Sequence, residues 1–260
     1  MVGRITREDV GLAYEDLGTG ELPLVLIHGV ACHRGFWAPQ LAHFSSDHRI
    51  VAVDLRGHGD SDAPVQRYSI DGFAADVAWM CDRLGVCQPV VVGHSLGGLV
   101  ALALAADYGD QIRACVLIDS VLLPSGNRRS VIEPLVEKLR SADGPDALRE
   151  YFSVFFGPHD DPARTEWILS QAVRTPPHVT SSVWEQSLTS WDDADVLRRC
   201  AIPVLYLDAG TPNADLTRAV RLRSELIIGR TVGSGHFSHL EVPEQVNAMI
   251  ERFLAVGVPT

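Results

Sequence analysis

Apolar residues fall along this chain in short unbroken runs, separated by stretches of helical spacing. Leu22–Ile27, Ile50–Val53, Val90–Val92, Ala114–Ile118, Pro203–Leu207 and Leu226–Thr231 each predict a strand, because such stretches are rich in aliphatic and β-branched residues and too short for helices. Two alternating stretches, near Arg4–Thr6 and Gly11–Glu15, predict opening antiparallel strands. Over Ile70–Leu84 the pattern changes to a helical one, with Ile70, Phe73, Val77, Met80 and Leu84 on one face. Leu96–Ala106 is rich in Ala and Leu and suits a helix, and Pro243–Leu254 predicts a closing amphipathic helix. Runs apolar at every position imply strands covered on both faces. Strands alternating with helices then imply a mostly parallel sheet between helical layers, an α/β architecture.

From about Leu123 to Trp191 that rhythm stops. This segment carries Phe152, Phe155, Phe156, Trp167, Trp184 and Trp191 in helical patterning, with turns at Gly144-Pro145 and Pro176-Pro177. It predicts a helical insertion, a cap over residues 123–191, set into a core made of residues 1–122 and 192–260. No internal repeat interrupts this organisation.

Composition narrows the partners. At 260 residues the chain suits one full domain with a modest insertion. A formal charge of −11, with no Lys/Arg tract, argues against nucleic acid or an anionic membrane as partner. Cys32, Cys81, Cys87, Cys115 and Cys200 are an odd number without metal-like spacing, which predicts reduced thiols in a cytoplasmic protein. The charged stretch Met1–Asp16 lacks the apolar segment of a signal peptide. No run approaches the length of a membrane span. Oligomeric state is left open.

Chemistry enters at Gly93-His94-Ser95-Leu96-Gly97-Gly98, directly after a predicted strand and at the start of a predicted helix. Gly93 and Gly97 let a tight corner close, and Ser95 is aimed out of it. A serine hydroxyl needs a base. His236, in Gly233-Ser234-Gly235-His236 between the last predicted strand and helix, is favoured; His239 is the competitor, nearer the final helix. His28 and His94 read as packed histidines. Asp54, His58, Asp60 and Asp62 lie among glycines and read as a structural loop in preference to a metal site; no metal is expected. Glu241 is expected in the first turn of the last helix, and two or three of the six insertion aromatics are expected to face a pocket.

These residues, with His28-Gly29, Asp54-Leu55-Arg56-Gly57-His58-Gly59-Asp60-Ser61, and Gly235-His236 ahead of Glu241 and Pro243, occur in an order that resembles the α/β-hydrolase superfamily. The resemblance covers nearly the whole chain. It implies an eight-stranded, mostly parallel sheet with a helical cap, Ser95 as nucleophile, His236 as base, and an oxyanion hole from the backbone N–H groups of Val30 and Leu96. Serine at the elbow sets the chain apart from haloalkane dehalogenases and epoxide hydrolases, which carry Asp there. In many relatives the third triad member lies in the loop after the strand beginning at Pro203, but here that place falls on Pro212 or Asn213. Asp119, Asp208 and Asp215 are therefore the candidates, with Asp119 first. The expected function is cofactor-independent cleavage of a small, largely apolar ester or lactone. Carbon–carbon bond hydrolysis of a ring-cleavage diketone, a slow or inactive lactone receptor, and a cofactor-free haloperoxidase activity are the alternatives.

Overall fold

The computed structural model describes residues 1–124, 128–157, 159–189, 191–211 and 213–258. Strands β1 (Val2–Arg7) and β2 (Val10–Leu17) pair antiparallel, and β2 joins β4 (Ile50–Val53) antiparallel. From β4 onward, β3 (Leu24–Ile27), β5 (Val90–His94), β6 (Ala114–Ile118), β7 (Val204–Asp208) and β8 (Ile227–Arg230) run parallel. The order in the eight-stranded sheet is β1-β2-β4-β3-β5-β6-β7-β8. Residues of β3 to β7 are buried throughout, as their unbroken apolar runs require. At the sheet edge β8 differs, with Ile227 and Ile228 exposed.

Each strand sends alternate side chains to opposite faces. Leu24, Leu26, Val90 and Val92 meet α1 (Ala38–Phe44) and α11 (Pro243–Val256) through Leu41, Phe44, Val246, Ile250 and Phe253. Val25, Ile27, Val91 and Leu117 meet the other layer, built from α2 (Ile70–Leu84) and α3 (Leu96–Asp107). Helix α3 is buried from Leu96 to Ala105, which explains its lack of any polar face. Its start touches the sheet backbone. A Cβ on Gly97 would lie 2.0 Å from the Ile27 carbonyl oxygen, and one on Gly93 would lie 2.1 Å from that of Gly97. Neither neighbour is a side chain able to move aside. Gly97→Ala is therefore expected to destabilise the protein by about 3 kcal/mol or more, read as a lower urea midpoint.

Between β6 and β7 come α4 (Arg128–Leu139), α5 (Gly144–Ser153), α6 (Pro162–Ala172) and α7 (Pro177–Thr189), then α8 (Asp193–Arg199). The first four share an apolar cluster, including Ile132, Leu148, Phe152, Ile168 and Trp184, which continues into Phe36 and Phe237 of the core. Helix α8 packs on α3 instead. Helices α9 (Leu216–Leu222) and α10 (Ser238–Glu241) flank β8 in the chain.

Candidate active site

Ser95 is the single residue between β5 and α3, with φ 52° and ψ −115°. A non-glycine residue rarely adopts such a backbone, so the packing around it must hold it there. Its N–H donates to the Ile118 carbonyl at 3.0 Å, tying the corner to β6. Leu96 follows as the first helical residue, where a backbone N–H has no partner within the helix. Opposite runs the turn after β3. A Cβ on Gly29 would lie 3.3 Å from Ser95 Cβ, so a side chain there would crowd the serine. Cys32 N–H closes that turn on the Gly29 carbonyl at 3.2 Å. Ser95, Leu96, Gly29, Val30 and His236 all line one cavity of about 340 Å³.

His236 Nδ1 lies 2.7 Å from Asp119 Oδ2. Asp119 follows β6, fully buried and at positive φ (42°). A carboxylate so far from water needs donors. Thr211 Oγ1 donates to Asp119 Oδ1 at 2.8 Å, and Asn213 Nδ2 donates to Oδ2 at 2.8 Å. The His236 loop is held from behind. Glu241 accepts from the N–H groups of Gly235 and, at 3.0 Å, Phe237, and His94 Nε2 donates to the His236 carbonyl at 2.8 Å. Phe155, just after α5, stacks on the His236 ring at 4.3 Å and 28°.

The other candidates have different occupations. Asp208 pairs with Arg230, Nε at 2.7 Å, and accepts from Gly210 N–H at 2.7 Å. Asp215 caps α9 by accepting from Arg218 N–H at 2.9 Å. Pro212 lies outside the described residues. His239 sits in α10, fully buried against Trp37 and His94, and burial pushes it down to about 3. His28 is a packed histidine: Nδ1 donates to the Gly29 carbonyl at 2.7 Å and Nε2 accepts from Leu55 N–H at 3.0 Å. Burial lowers it to about 3, in keeping with a neutral ring. Arg34 engages Asp54 and Asp60, and Arg4 engages Asp62, so these carboxylates tie the loop after β4 to its neighbours. Glu241 departs from expectation. It ends α10, one turn ahead of the last helix, because its carboxylate is drawn back onto the His236 loop; burial raises its pKa.

Residues 23–243 match the alpha/beta hydrolase fold family. The chain belongs to that family. The mouse (Mus musculus) protein named Epoxide hydrolase 4 is 38% identical over 117 residues, 43% of this chain and 33% of that one. The chain thus spans about a third of the length of that relative. A thermophilic esterase from Thermogutta terrifontis superposes with a TM-score of 0.87 at 26% identity, covering 98% of both chains. The enol-lactonase from Burkholderia xenovorans LB400 gives a TM-score of 0.88 at 23% identity, covering 97% of this chain and all (100%) of the other. Among the described residues, no helix is long and apolar enough to cross a membrane.

The cavity of this alpha/beta hydrolase is lined mainly by Leu99, Val131, Ile132, Phe152, Val183 and Trp184, with Tyr151 and Phe155. Of the six aromatics named from sequence between Leu123 and Trp191, Phe152, Phe155 and Trp184 line it. Phe156 stacks on Phe237 instead, and Trp167 packs on Phe36. Thr211 and Asn213 were not foreseen as partners of Asp119. The available signal was that Asn213 occupies a place where many relatives carry an acid.

Proposed function

We propose that this chain is a cofactor-independent serine hydrolase that cleaves a small, largely apolar carboxylic ester or lactone through an acyl-enzyme. The observation carrying this reading is the 2.7 Å contact of buried Asp119 with His236, a residue that lines the same cavity as a serine held at a strained turn. With Nδ1–H directed at Asp119, the imidazole presents its Nε2 lone pair as base. Ser95 Oγ gives its proton to Nε2 and attacks the carbonyl carbon. The resulting oxyanion is met by the N–H groups of Leu96 and Val30, the former also favoured by the positive end of α3. Collapse breaks the acyl–oxygen bond, and the alcohol leaves with the proton from Nε2. Water then gives a proton to the same nitrogen, attacks the acyl group, and releases the acid and Ser95. In this reading residues 123–191 are the cap over a core of residues 1–122 and 192–260, and their aromatics contact the substrate. The Thermogutta terrifontis esterase offers a precedent for ester cleavage on this fold.

The test is treatment with a fluorophosphonate, with mass spectrometry locating the adduct, alongside hydrolysis of a short-chain aryl ester. The expected result is a single adduct on Ser95 and loss of hydrolysis with labelling. An unlabelled Ser95 in folded protein overturns the proposal.

A further inference from the structure

Asp119 meets His236 with help from a neighbouring strand. Thr211 and Asn213 both come from the loop after β7, while Asp119 follows β6. Thr211 Oγ1 stands 2.8 and 2.9 Å from the two carboxylate oxygens. Asn213 Nδ2 stands 2.8 Å from Oδ2, the oxygen that also faces His236 Nδ1. The amide nitrogen is 3.3 Å from that Nδ1. With its Nδ1–H directed at Asp119, the ring has no lone pair there for an amide donor. The short approach is therefore two donors, one from the ring and one from the amide, converging on a single oxygen.

That convergence has a chemical corollary. Asn and Asp have the same shape, so exchanging them leaves the three groups in place and swaps donor for acceptor. A carboxylate at 213 would reach the Nδ1–H across the present 3.3 Å approach, and an amide at 119 would donate to it across the present 2.8 Å contact.

We propose that Asn213 is a positioning residue for Asp119, and that the two form a reciprocal amide–carboxylate pair whose negative charge can sit at either end with His236 still oriented. This rests on the Ser95–His236–Asp119 reading above. A residue that only shaped the loop would show no such exchange.

The experiment compares the full-length wild type with Asp119→Asn, Asn213→Asp and the double variant Asp119→Asn/Asn213→Asp. Readouts are kcat and KM for a short-chain aryl ester across pH, and the downfield proton NMR signal of His236 Nδ1–H. Asp119→Asn is expected to lower kcat by about 10⁴-fold. Asn213→Asp alone is expected to lower it by about tenfold, since two carboxylates on one Nδ1 must share a proton. The double variant is expected to recover about tenfold or more over Asp119→Asn, with KM little changed and the acid limb of the pH profile restored. It should also regain the downfield signal that Asp119→Asn loses. A double variant no faster than Asp119→Asn and without that signal overturns the proposal. If the double variant does not fold, Asn213→Ala decides: a fall in kcat at constant KM with a moved acid limb supports the pair, and an unchanged profile overturns it. A wild type that shows the downfield signal but neither hydrolyses esters nor labels at Ser95 defeats the hydrolase reading; the pair then stands or falls on whether the double variant regains the signal that Asp119→Asn loses.

Discussion

Ser95→Ala is expected to lower kcat for a short-chain aryl ester by about five to six orders of magnitude, with the fold intact. The hydroxyl is the only atom removed. The positive φ of residue 95 is no harder for alanine than for serine. The link to the sheet also survives, because it runs from the backbone N–H to the Ile118 carbonyl. The thermal unfolding midpoint should therefore move little while turnover disappears. On the proposed mechanism, what activity is left would come from the Leu96 and Val30 N–H groups and from binding alone. Retention of even a tenth of wild-type kcat, beyond any contamination, would place the chemistry elsewhere in the cavity.

Acid is expected to unfold this protein early, with loss of far-UV circular dichroism well under way by about pH 4.5. Burial pushes His28, His58 and His239 down to about 3, and lowers His94 as well. The sign follows from linkage. An unfolded histidine takes up its proton near 6.5, so below that pH the unfolded state binds protons that the native state refuses. These histidines leave stability unchanged above about pH 7 and reduce it progressively as pH falls from 6.5 toward 3. Each group contributes about 1.4 kcal/mol per pH unit over that window, so at pH 4.5 the first three together remove about 8 kcal/mol. A typical domain has only about 5–15 kcal/mol to lose. The depressed carboxylates Asp60 and Asp62, each bonded to an arginine, act in the same direction only at lower pH, where they begin to protonate. His239 gives a direct check, because neither ring nitrogen has a hydrogen-bond partner among the described residues. His239→Phe forfeits no such bond and should shift the acid midpoint downward; an unmoved midpoint would show that its burial does not set acid sensitivity.

The sheet was legible because its middle strands are apolar on both faces, a pattern that survives without any knowledge of neighbours. Ile70–Leu84 was equally plain, as a long one-sided helix with Ser69 accepting from Gly72 N–H at its start. Helices α8 and α9 were not foreseen, since seven residues each give too few turns for a periodic signal. Their capping residues, Asp192 and Asp215, were the only local trace. The site divides in the same way. Ser95 and His236 stand in glycine-rich local motifs, whereas the carboxylate that meets His236 depends on contacts far apart in sequence. Asp208 is engaged by Arg230, its partner in the β7–β8 register, and that pairing becomes visible only once the strands are aligned. Asp119 and Asn213 are 94 residues apart, and nothing local announces that their side chains meet.

One contact bears on how this cavity can be redesigned. Phe155 follows α5, in the helical stretch between β6 and β7 that supplies much of the lining, yet its ring stacks on the imidazole of His236. Val183 and Trp184 line the same space from α7 and are natural positions at which to reshape it for bulkier or smaller molecules. Position 155 is not interchangeable with them. On the proposed mechanism, altering it changes the wall and unsettles the proton carrier in one stroke, so a library that randomises the whole lining would confound selectivity with loss of reactivity unless that phenylalanine were kept.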